Sequence, residues 1–241
     1  MAPVHSPKQN LLLAALPEDC YQRVLPGLEL VALPLGRVMY ESGGRLEYLY
    51  FPTSGILSML YVTHNGASSE IAITGNEGLL GISLFMGGES TTNRAVVQCA
   101  CHAYRMSTSV LKREFALGGA FQHMALRYTQ ALITQMAQTS VCNRHHSLDQ
   151  QLCRWLLLSI DRLAGADLLM TQELIANMLG VRREGVTEAA GQLQQAGLIS
   201  YSRGRIRVLD RPGLEKRVCE CYAVVKNEYD RLLSKGLPKG A

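Results

Sequence analysis

The sequence predicts an α+β protein in which an antiparallel β-roll is followed by a long helix and then by a smaller, mostly helical unit. Three observations support this fold class. Short β-rich segments fill 28–109, a run with helical periodicity and without Gly or Pro covers 121–143, and two helical segments with a hairpin occupy 171–209. With 241 residues, 47% of them hydrophobic, the chain can form more than one core. We expect three parts, with bounds 1–118, 119–146 and 147–241.

The β-rich part consists of strand-like runs separated by turn residues. The turn signals are Pro26-Gly27, Gly43-Gly44, Asn65-Gly66 and Gly75-Asn76. Asn-Gly between two strand-like runs is typical of a tight β-hairpin. Closely spaced short strands of this kind predict an antiparallel roll or barrel.

The long helix carries two apolar stripes. One has members at intervals of four, three, four and four residues, namely Phe121, Ala125, Tyr128, Leu132 and Met136. The other stripe contains Leu126, Ile133 and Ala137. Packing against the protein's own core explains one apolar stripe. A helix that also pairs with the same helix of a second copy explains both stripes. We assign the longer stripe to a homodimer interface.

A second helix is expected after a junction at 143–146. Ser147 and Gln150 have the spacing of a capping box, and Gly165 is the expected end of this helix. Beyond it, Thr171 is a plausible N-cap for a short helix, and Gly180 supplies the turn into another helix over 182–196.

A hairpin with Arg203-Gly204 at its tip follows the helix pair. Two helices at a tight turn with such a hairpin form a winged helix-turn-helix. The charge distribution supports a polyanionic partner, since residues 1–143 carry nine basic and nine acidic side chains, whereas residues 144–241 carry fifteen and eleven. We therefore expect double-stranded DNA to bind here. The candidate contact residues are Thr171, Gln172, Arg182, Arg183, Glu184, Thr187, Glu188, Arg203 and Arg205.

The cysteines and histidines predict no metal site and no cofactor. Cys99 and Cys101 lie in a strand-like run, and Cys219 and Cys221 in a helical pattern that points them about 200° apart. Neither pair has zinc spacing, and the adjacent His145 and His146 also point in different directions. The seven thiols fit a reducing compartment.

Several function classes are disfavoured. The sequence has no run of about 18 apolar residues, and the apolar segment near its N-terminus is too short for a signal peptide, so we expect a cytoplasmic protein without a membrane partner. It contains no HExxH, Walker A or dinucleotide-binding motif, so we expect no enzyme. A small-molecule enzyme and an unregulated DNA-architectural protein are the weaker alternatives.

The segments QQLCRWLLLSIDRL, TQELIANMLGVRREGVTEAAGQLQQAGLI and SRGRIRV resemble the Crp/Fnr family of bacterial transcription regulators. The resemblance covers nearly the whole chain. It implies a cyclic-nucleotide-binding-like roll that senses an effector, long helices that pair in a homodimer, and two recognition helices that read a two-fold symmetric operator. RNA polymerase is a further candidate partner by this resemblance.

The resemblance also assigns residue roles. Arg183 and Glu184 fall at the base-reading Arg-Glu of the family, and Thr171 at a phosphate-contacting position. Arginine can donate two bonds to guanine and glutamate can accept from cytosine, whereas wing arginines bind phosphates. Glu188 departs from the pattern, because several members have a second base-contacting arginine there, so the operator is expected to differ.

The cyclic-nucleotide cassette of the family is degenerate in this sequence. Ile82 follows Gly81 where the family has a ribose-binding glutamate, and Asn93 stands at the position of the phosphate-binding arginine. Arg94 is one residue late, which on a strand reverses its face. Losing such a charge-assisted contact typically costs several kcal/mol. We therefore expect that cyclic AMP is not bound in the usual mode.

Three interpretations of the roll stay open. It senses another small molecule or nucleotide in a remodelled pocket, it is a structural remnant, or it senses redox state or haem through Cys or His. The candidate pocket residues for the first interpretation are Glu70, Glu77, Gly78, Gly81, Asn93 and Arg94. The segment 212–241, with an expected helix, receives no role, and the effector, the operator and the sign of regulation are not assigned.

Overall fold

The computed structural model describes residues 5–233. The helices in this part are α1 (Leu11–Ala14), α2 (Glu18–Val24), α3 (Ser83–Met86), α4 (Thr108–Ala116), α5 (Ala120–His145), α6 (Leu148–Ile160), α7 (Gln172–Leu179), α8 (Arg183–Gln195), α9 (Arg211–Arg217) and α10 (Cys221–Leu233). The strands are β1 (Leu28–Leu33), β2 (Val38–Tyr40), β3 (Tyr48–Pro52), β4 (Ile56–Val62), β5 (Ser68–Thr74), β6 (Arg94–Cys99), β7 (Cys101–Ser107), β8 (Asp167–Leu169), β9 (Ile199–Ser202) and β10 (Arg205–Val208). This confirms the predicted α+β fold class.

The β-roll consists of two antiparallel sheets with strand orders β1-β7-β3 and β2-β6-β4-β5. The predicted hairpin at Asn65-Gly66 joins β4 to β5, with Gly66 at φ 85° and the Thr63 amide donating to the Ala67 carbonyl at 2.8 Å. Positive φ is accessible to glycine at no steric cost, which explains its place in this turn. In β7 buried residues largely alternate with half-buried ones, whereas the first five residues of β4 are all buried, so β4 is covered on both faces.

Helix α5 packs its longer apolar stripe against the roll. Phe121, Tyr128 and Leu132 are at most 1% exposed, and the Tyr128 hydroxyl donates to Thr74 Oγ1 at 3.0 Å. Gly78 is required beside this tyrosine, since a Cβ at Gly78 would lie 2.4 Å from the ring. The stripe is therefore part of the protomer's own core.

This packing corrects the assignment of the dimer stripe. Residues that are fully buried in one chain cannot also contact a second copy, which removes Phe121, Ala125, Tyr128 and Leu132 from a dimer interface, and Met136 lines a cavity inside the protomer. The other stripe lies in solvent, with Leu126 47% and Ile133 55% exposed and Ala137 exposed beside them. The sequence showed two stripes but not which of them faces the roll.

Helix α6 begins with the predicted capping box of Ser147 and Gln150. It ends at Ile160, five residues before the expected Gly165. Arg162 accounts for this end, because its Nη1 donates to the Leu158 carbonyl at 2.7 Å and satisfies a terminal acceptor of the helix.

The C-terminal part is a winged helix-turn-helix. Thr171 caps α7 through the Leu174 amide, and Gly180 ends the helix in the left-handed conformation at φ 67°. The wing turn is formed by Arg203 and Gly204, both with positive φ, and it matches the predicted hairpin. An additional strand, β8, pairs with β10 and completes a three-stranded sheet of order β8-β10-β9.

The segment after the wing forms α9 and α10 rather than one helix. The helical pattern breaks at 218–220, and α10 then packs along α5. Residues 234–241 of the expected C-terminal segment lie outside the described part of the chain. No helix among residues 5–233 combines the length and apolar character that crossing a bilayer demands.

Candidate nucleic-acid interface and effector cavity

Helix α8 presents a polar, exposed face because its apolar residues are buried against the rest of the winged unit. Val186 and Leu193 are fully buried, which fixes the opposite side of the helix toward solvent. The exposed side contains all five sequence-predicted residues of this helix and its N-cap: Arg182, Arg183, Glu184, Thr187 and Glu188. In the described part of the chain no side chain caps the first turn of α8, so the amide groups of this turn are free at the positive end of the helix dipole.

The wing and the two helices form one cleft of about 470 Å³. Four of the predicted DNA contacts line it, namely Thr171, Gln172, Arg183 and Arg203. Gln172 Oε1 accepts a hydrogen bond from Thr187 Oγ1 at 2.8 Å, which holds the start of α7 against α8. The structure therefore gathers these residues on one side of the winged unit.

Four arginines of this surface have no acidic partner within residues 5–233. They are Arg182, Arg183, Arg203 and Arg205, and all are exposed. Two further arginines at and after the wing are neutralised, since Arg207 pairs with Asp167 at 2.6 Å and Arg211 with Asp161 at 2.5 Å. The unpaired charge is thus concentrated on the recognition helix and the wing tip.

A second candidate site is a cavity of about 310 Å³ between the roll and α5. Its lining is largely apolar, with Tyr40, Met59, Leu79, Ile82, Met86, Leu132 and Met136 beside Gly81, Ser83, Gly88, Thr91 and Asn93. Within residues 5–233, no charged side chain lines this cavity. Asn93 Oδ1 is buried there without a hydrogen-bond partner, which leaves one acceptor available to a ligand. Sequence analysis found Gly81 and Asn93 but missed the contribution of α5, although the periodicity of Leu132 and Met136 placed them on one face.

The remaining pocket candidates lie elsewhere. Arg94 Nε lies 3.2 Å from Glu41 Oε2, and Arg94 is not among the residues that line the cavity. Gly78 contacts the Tyr128 ring, and Glu77 forms a buried ion pair with Arg162 at 2.7 Å. Glu77 therefore attaches the roll to the end of α6, and with Arg162 it lines a separate cavity of about 510 Å³ beside α10 rather than the cavity that contains Asn93.

Glu70 is the central contact between the roll and α6. Its carboxylate accepts hydrogen bonds from Trp155 Nε1 at 3.0 Å and from Ser58 Oγ. Burial raises the pKa of Glu70 to about 7, against the lowering effects of those two donors and of the Arg154 and Arg162 charges. Ser58 also contacts Met178 of α7, so one small polar group joins the roll to both helices.

The thiols do not support a catalytic cysteine in the roll. Burial raises the pKa of Cys99 to about 11 and that of Cys101 to about 12, so neither is a thiolate near neutral pH. One group of side chains bears on the expected absence of a metal site. Cys142, His146, Cys219 and Cys221, which we call the thiol cluster, have ligand atoms within 4.8 Å of one another.

Comparisons with known proteins agree with this architecture. A model for the cyclic nucleotide-binding domain matches residues 30–116, and one for the Crp-like helix-turn-helix domain matches residues 150–217. No curated protein matches the sequence.

Solved structures are similar over most of the chain. A Crp/Fnr family transcriptional regulator from Eubacterium rectale is 18% identical with a TM-score of 0.69, and the match covers 87% of this chain and 98% of the relative. FixK2 from Bradyrhizobium japonicum is 16% identical with a TM-score of 0.69, over 80% and 98%. The c-di-GMP responsive regulator CLP from Xanthomonas campestris is 14% identical with a TM-score of 0.64, over 80% and 100%. At these identities the likeness establishes the shared fold.

Proposed function

The chain belongs to the Crp/Fnr family of transcription regulators, and we propose that it binds a two-fold symmetric DNA operator as a homodimer under the control of a small-molecule effector. The supporting observation is the set of four exposed, unpaired arginines on the recognition helix and wing. This proposal assigns the chain a binding role rather than a catalytic one.

We assign the recognition of specific DNA bases to the start of α8. Arg183 can donate two hydrogen bonds to a guanine edge, and Glu184 can accept from a cytosine amino group. Arg203 and Arg205 lie at the wing turn, where they can contact phosphates without reading bases. The free amides at the N-terminal end of α8 favour a phosphate there as well.

The dimer is assigned to the exposed stripe of α5. Leu126, Ile133, Ala137 and Val141 lie on this stripe without a charged residue among them, and the two largest are about half exposed. An exposed apolar seam with heptad-like spacing is stabilised by a second copy of the same helix. In such a dimer the two α8 helices must lie about 34 Å apart to enter successive major grooves.

The effector is assigned to the cavity between the roll and α5. Among residues 5–233 the lining offers a cyclic phosphate no cation, since Arg94 lies beside Glu41 and not in the lining. This supports the expectation that cyclic AMP is not bound in the usual mode, and it favours an uncharged ligand that donates a hydrogen bond to Asn93 Oδ1. Since Leu132 and Met136 line the same cavity, a ligand there would act on α5 and, through the junction at 143–147, on the winged units.

Selection of bound sites from randomised duplex DNA tests this function. We expect enriched sequences with two inverted half-sites whose centres are about one helical turn apart. Enrichment of a single, non-repeated site would contradict a symmetric dimer, and a failure to enrich any sequence would contradict specific binding. RNA polymerase is a further proposed partner, which transcription from a promoter carrying the selected site would test.

A further inference from the structure

The thiol cluster lies where the end of α5 meets the start of α10. Cys142 is on the last turns of α5 and His146 is its C-cap, whereas Cys219 and Cys221 flank the beginning of α10. The three cysteines are at most 4% exposed, and all of them are free thiols. Cys142 and Cys219 are 77 residues apart in sequence, so the fold alone brings the four side chains together.

The distances within the cluster match one tetrahedral ion. Cys142 Sγ lies 3.6 Å from Cys219 Sγ, and Cys221 Sγ lies 3.6 Å from His146 Nδ1. Around a zinc ion with bonds of about 2.3 Å to sulfur and about 2.0 Å to nitrogen, neighbouring sulfurs are about 3.8 Å apart and sulfur and nitrogen about 3.5 Å. Two of the six ligand–ligand distances therefore match the edges of a coordination tetrahedron, and the other four are at most 4.8 Å.

We propose that Cys142, His146, Cys219 and Cys221 bind one Zn²⁺ ion. Three thiolates and one imidazole are a ligand set of structural zinc sites, and four protein ligands leave no open position for catalysis. Soft sulfur ligands favour zinc over Mg²⁺ or Ca²⁺. A cubane iron–sulfur cluster would instead spread its thiolates over several iron atoms, whereas these ligand atoms all lie within 4.8 Å.

Neighbouring groups suit this ion as well. The second ring nitrogen of the histidine, Nε2, lies 3.3 Å from Glu220 Oε1, and a carboxylate there orients a zinc-bound imidazole through its other nitrogen. Zinc with three thiolates carries a net charge of −1. The buried guanidinium of Arg154 acts on Cys142 and Cys221 through its charge and can offset it.

The position of the ion gives it a structural task. It would cross-link α10 to α5 directly before the junction that leads into α6. Helix α10 packs along α5, where the Tyr229 ring lies edge-on to Tyr128 and its hydroxyl accepts a hydrogen bond from Gln135 Nε2 at 2.8 Å. Release of the ion would therefore loosen the packing of α10 on α5. Metal binding of this kind contributes directly to folding free energy.

Metal analysis of the full-length chain, purified under reducing conditions and equilibrated with Zn²⁺ before removal of free metal, tests the proposal. We expect about one zinc per chain, and a loss of most of it in Cys219→Ser. Cys99→Ser is the matched control, because Cys99 is a half-buried cysteine outside the cluster, and it should keep its zinc. His146→Cys should retain zinc through a fourth thiolate, whereas Glu220→Gln should weaken binding by about tenfold or more.

A second measurement does not depend on the folding of variants. Stripping metal from the wild-type protein with a chelator should lower its thermal midpoint, and added Zn²⁺ should restore it. Co²⁺ in place of zinc should give the visible absorption of tetrahedral thiolate coordination. Reduced wild-type protein that takes up no zinc, or a Cys142–Cys219 disulfide that persists while added zinc has no effect on the midpoint, would overturn the proposal.

Discussion

Glu70→Gln should make the protein more stable at alkaline pH while changing little at acid pH. The Glu70 carboxyl is 8% exposed and lies between the roll and α6, where Trp155 Nε1 and Ser58 Oγ donate to it. Glutamine keeps an acceptor for the tryptophan and offers its amide to the serine. The substitution therefore removes the buried charge but preserves the shape of the site.

The size of the expected difference in unfolding free energy follows from the pKa of Glu70. Burial raises the pKa of Glu70 from its ordinary 4.5 to about 7, which corresponds to about 3 kcal/mol. The folded chain holds this proton more tightly than the unfolded chain, so the stability of the wild type falls as pH rises from about 4.5 and levels off above about 7. Glu70→Gln has no carboxyl to titrate at this site. The difference in unfolding free energy between the variant and wild type should therefore grow by up to about 3 kcal/mol between about pH 4.5 and about pH 7.

Urea unfolding of both proteins at a series of pH values measures this difference. Taking the difference cancels the contribution of other titrating groups. Glu47→Gln serves as control, because Glu47 is an exposed glutamate, and its difference from wild type should stay flat. Parallel stability profiles for wild type and Glu70→Gln between about pH 5 and about pH 8 would refute the assignment of a buried, destabilised carboxylate.

Other substitutions test the packing and the effector cavity. Ile133→Asp should convert the proposed homodimer to monomers by placing a charge in the exposed stripe, whereas Ile133→Leu, which keeps the stripe apolar, should not. Sedimentation measures the oligomeric state of both variants, and identical behaviour would contradict this assignment. Phe121→Ala should cost about 3–5 kcal/mol in denaturant unfolding, since Phe121 is 1% exposed, and a cost below about 1 kcal/mol would contradict its place in the core. Calorimetric titration with cyclic AMP should show no binding at micromolar ligand, and micromolar affinity abolished by Arg94→Ala would show that Arg94 does reach a phosphate.

The order of the fold was predictable from local patterns. Strand-like runs and turn residues gave the roll, the capping box at Ser147 gave the start of α6, and Gly180 gave the turn of the helix pair. These features depend on neighbours in sequence, which is why they were visible. Strand β8 was missed because its three residues are defined only by pairing with β10.

The sites depended on contacts that local patterns do not contain. Glu70 and Glu77 were expected in one pocket with Gly81 and Asn93, but they bind Trp155 and Arg162 instead, each 85 residues away in sequence. The thiol cluster was missed for the same reason, since its members are far apart in sequence. In addition, a helical pattern was assumed for Cys219 and Cys221, which would point them apart, whereas the break at 218–220 lets their sulfurs approach each other.

DNA binding by two single variants over a range of salt concentrations tests the central claim most directly. Arg183→Ala should lower affinity for the selected operator by about 1–3 kcal/mol and relax the preference at one base pair. Arg205→Ala should weaken operator and random DNA alike and reduce the salt dependence by about one phosphate contact. Arg45→Ala, an exposed arginine on the roll, should change neither. Equal losses on operator and random DNA for Arg183→Ala, or unchanged binding in both variants, would contradict the account.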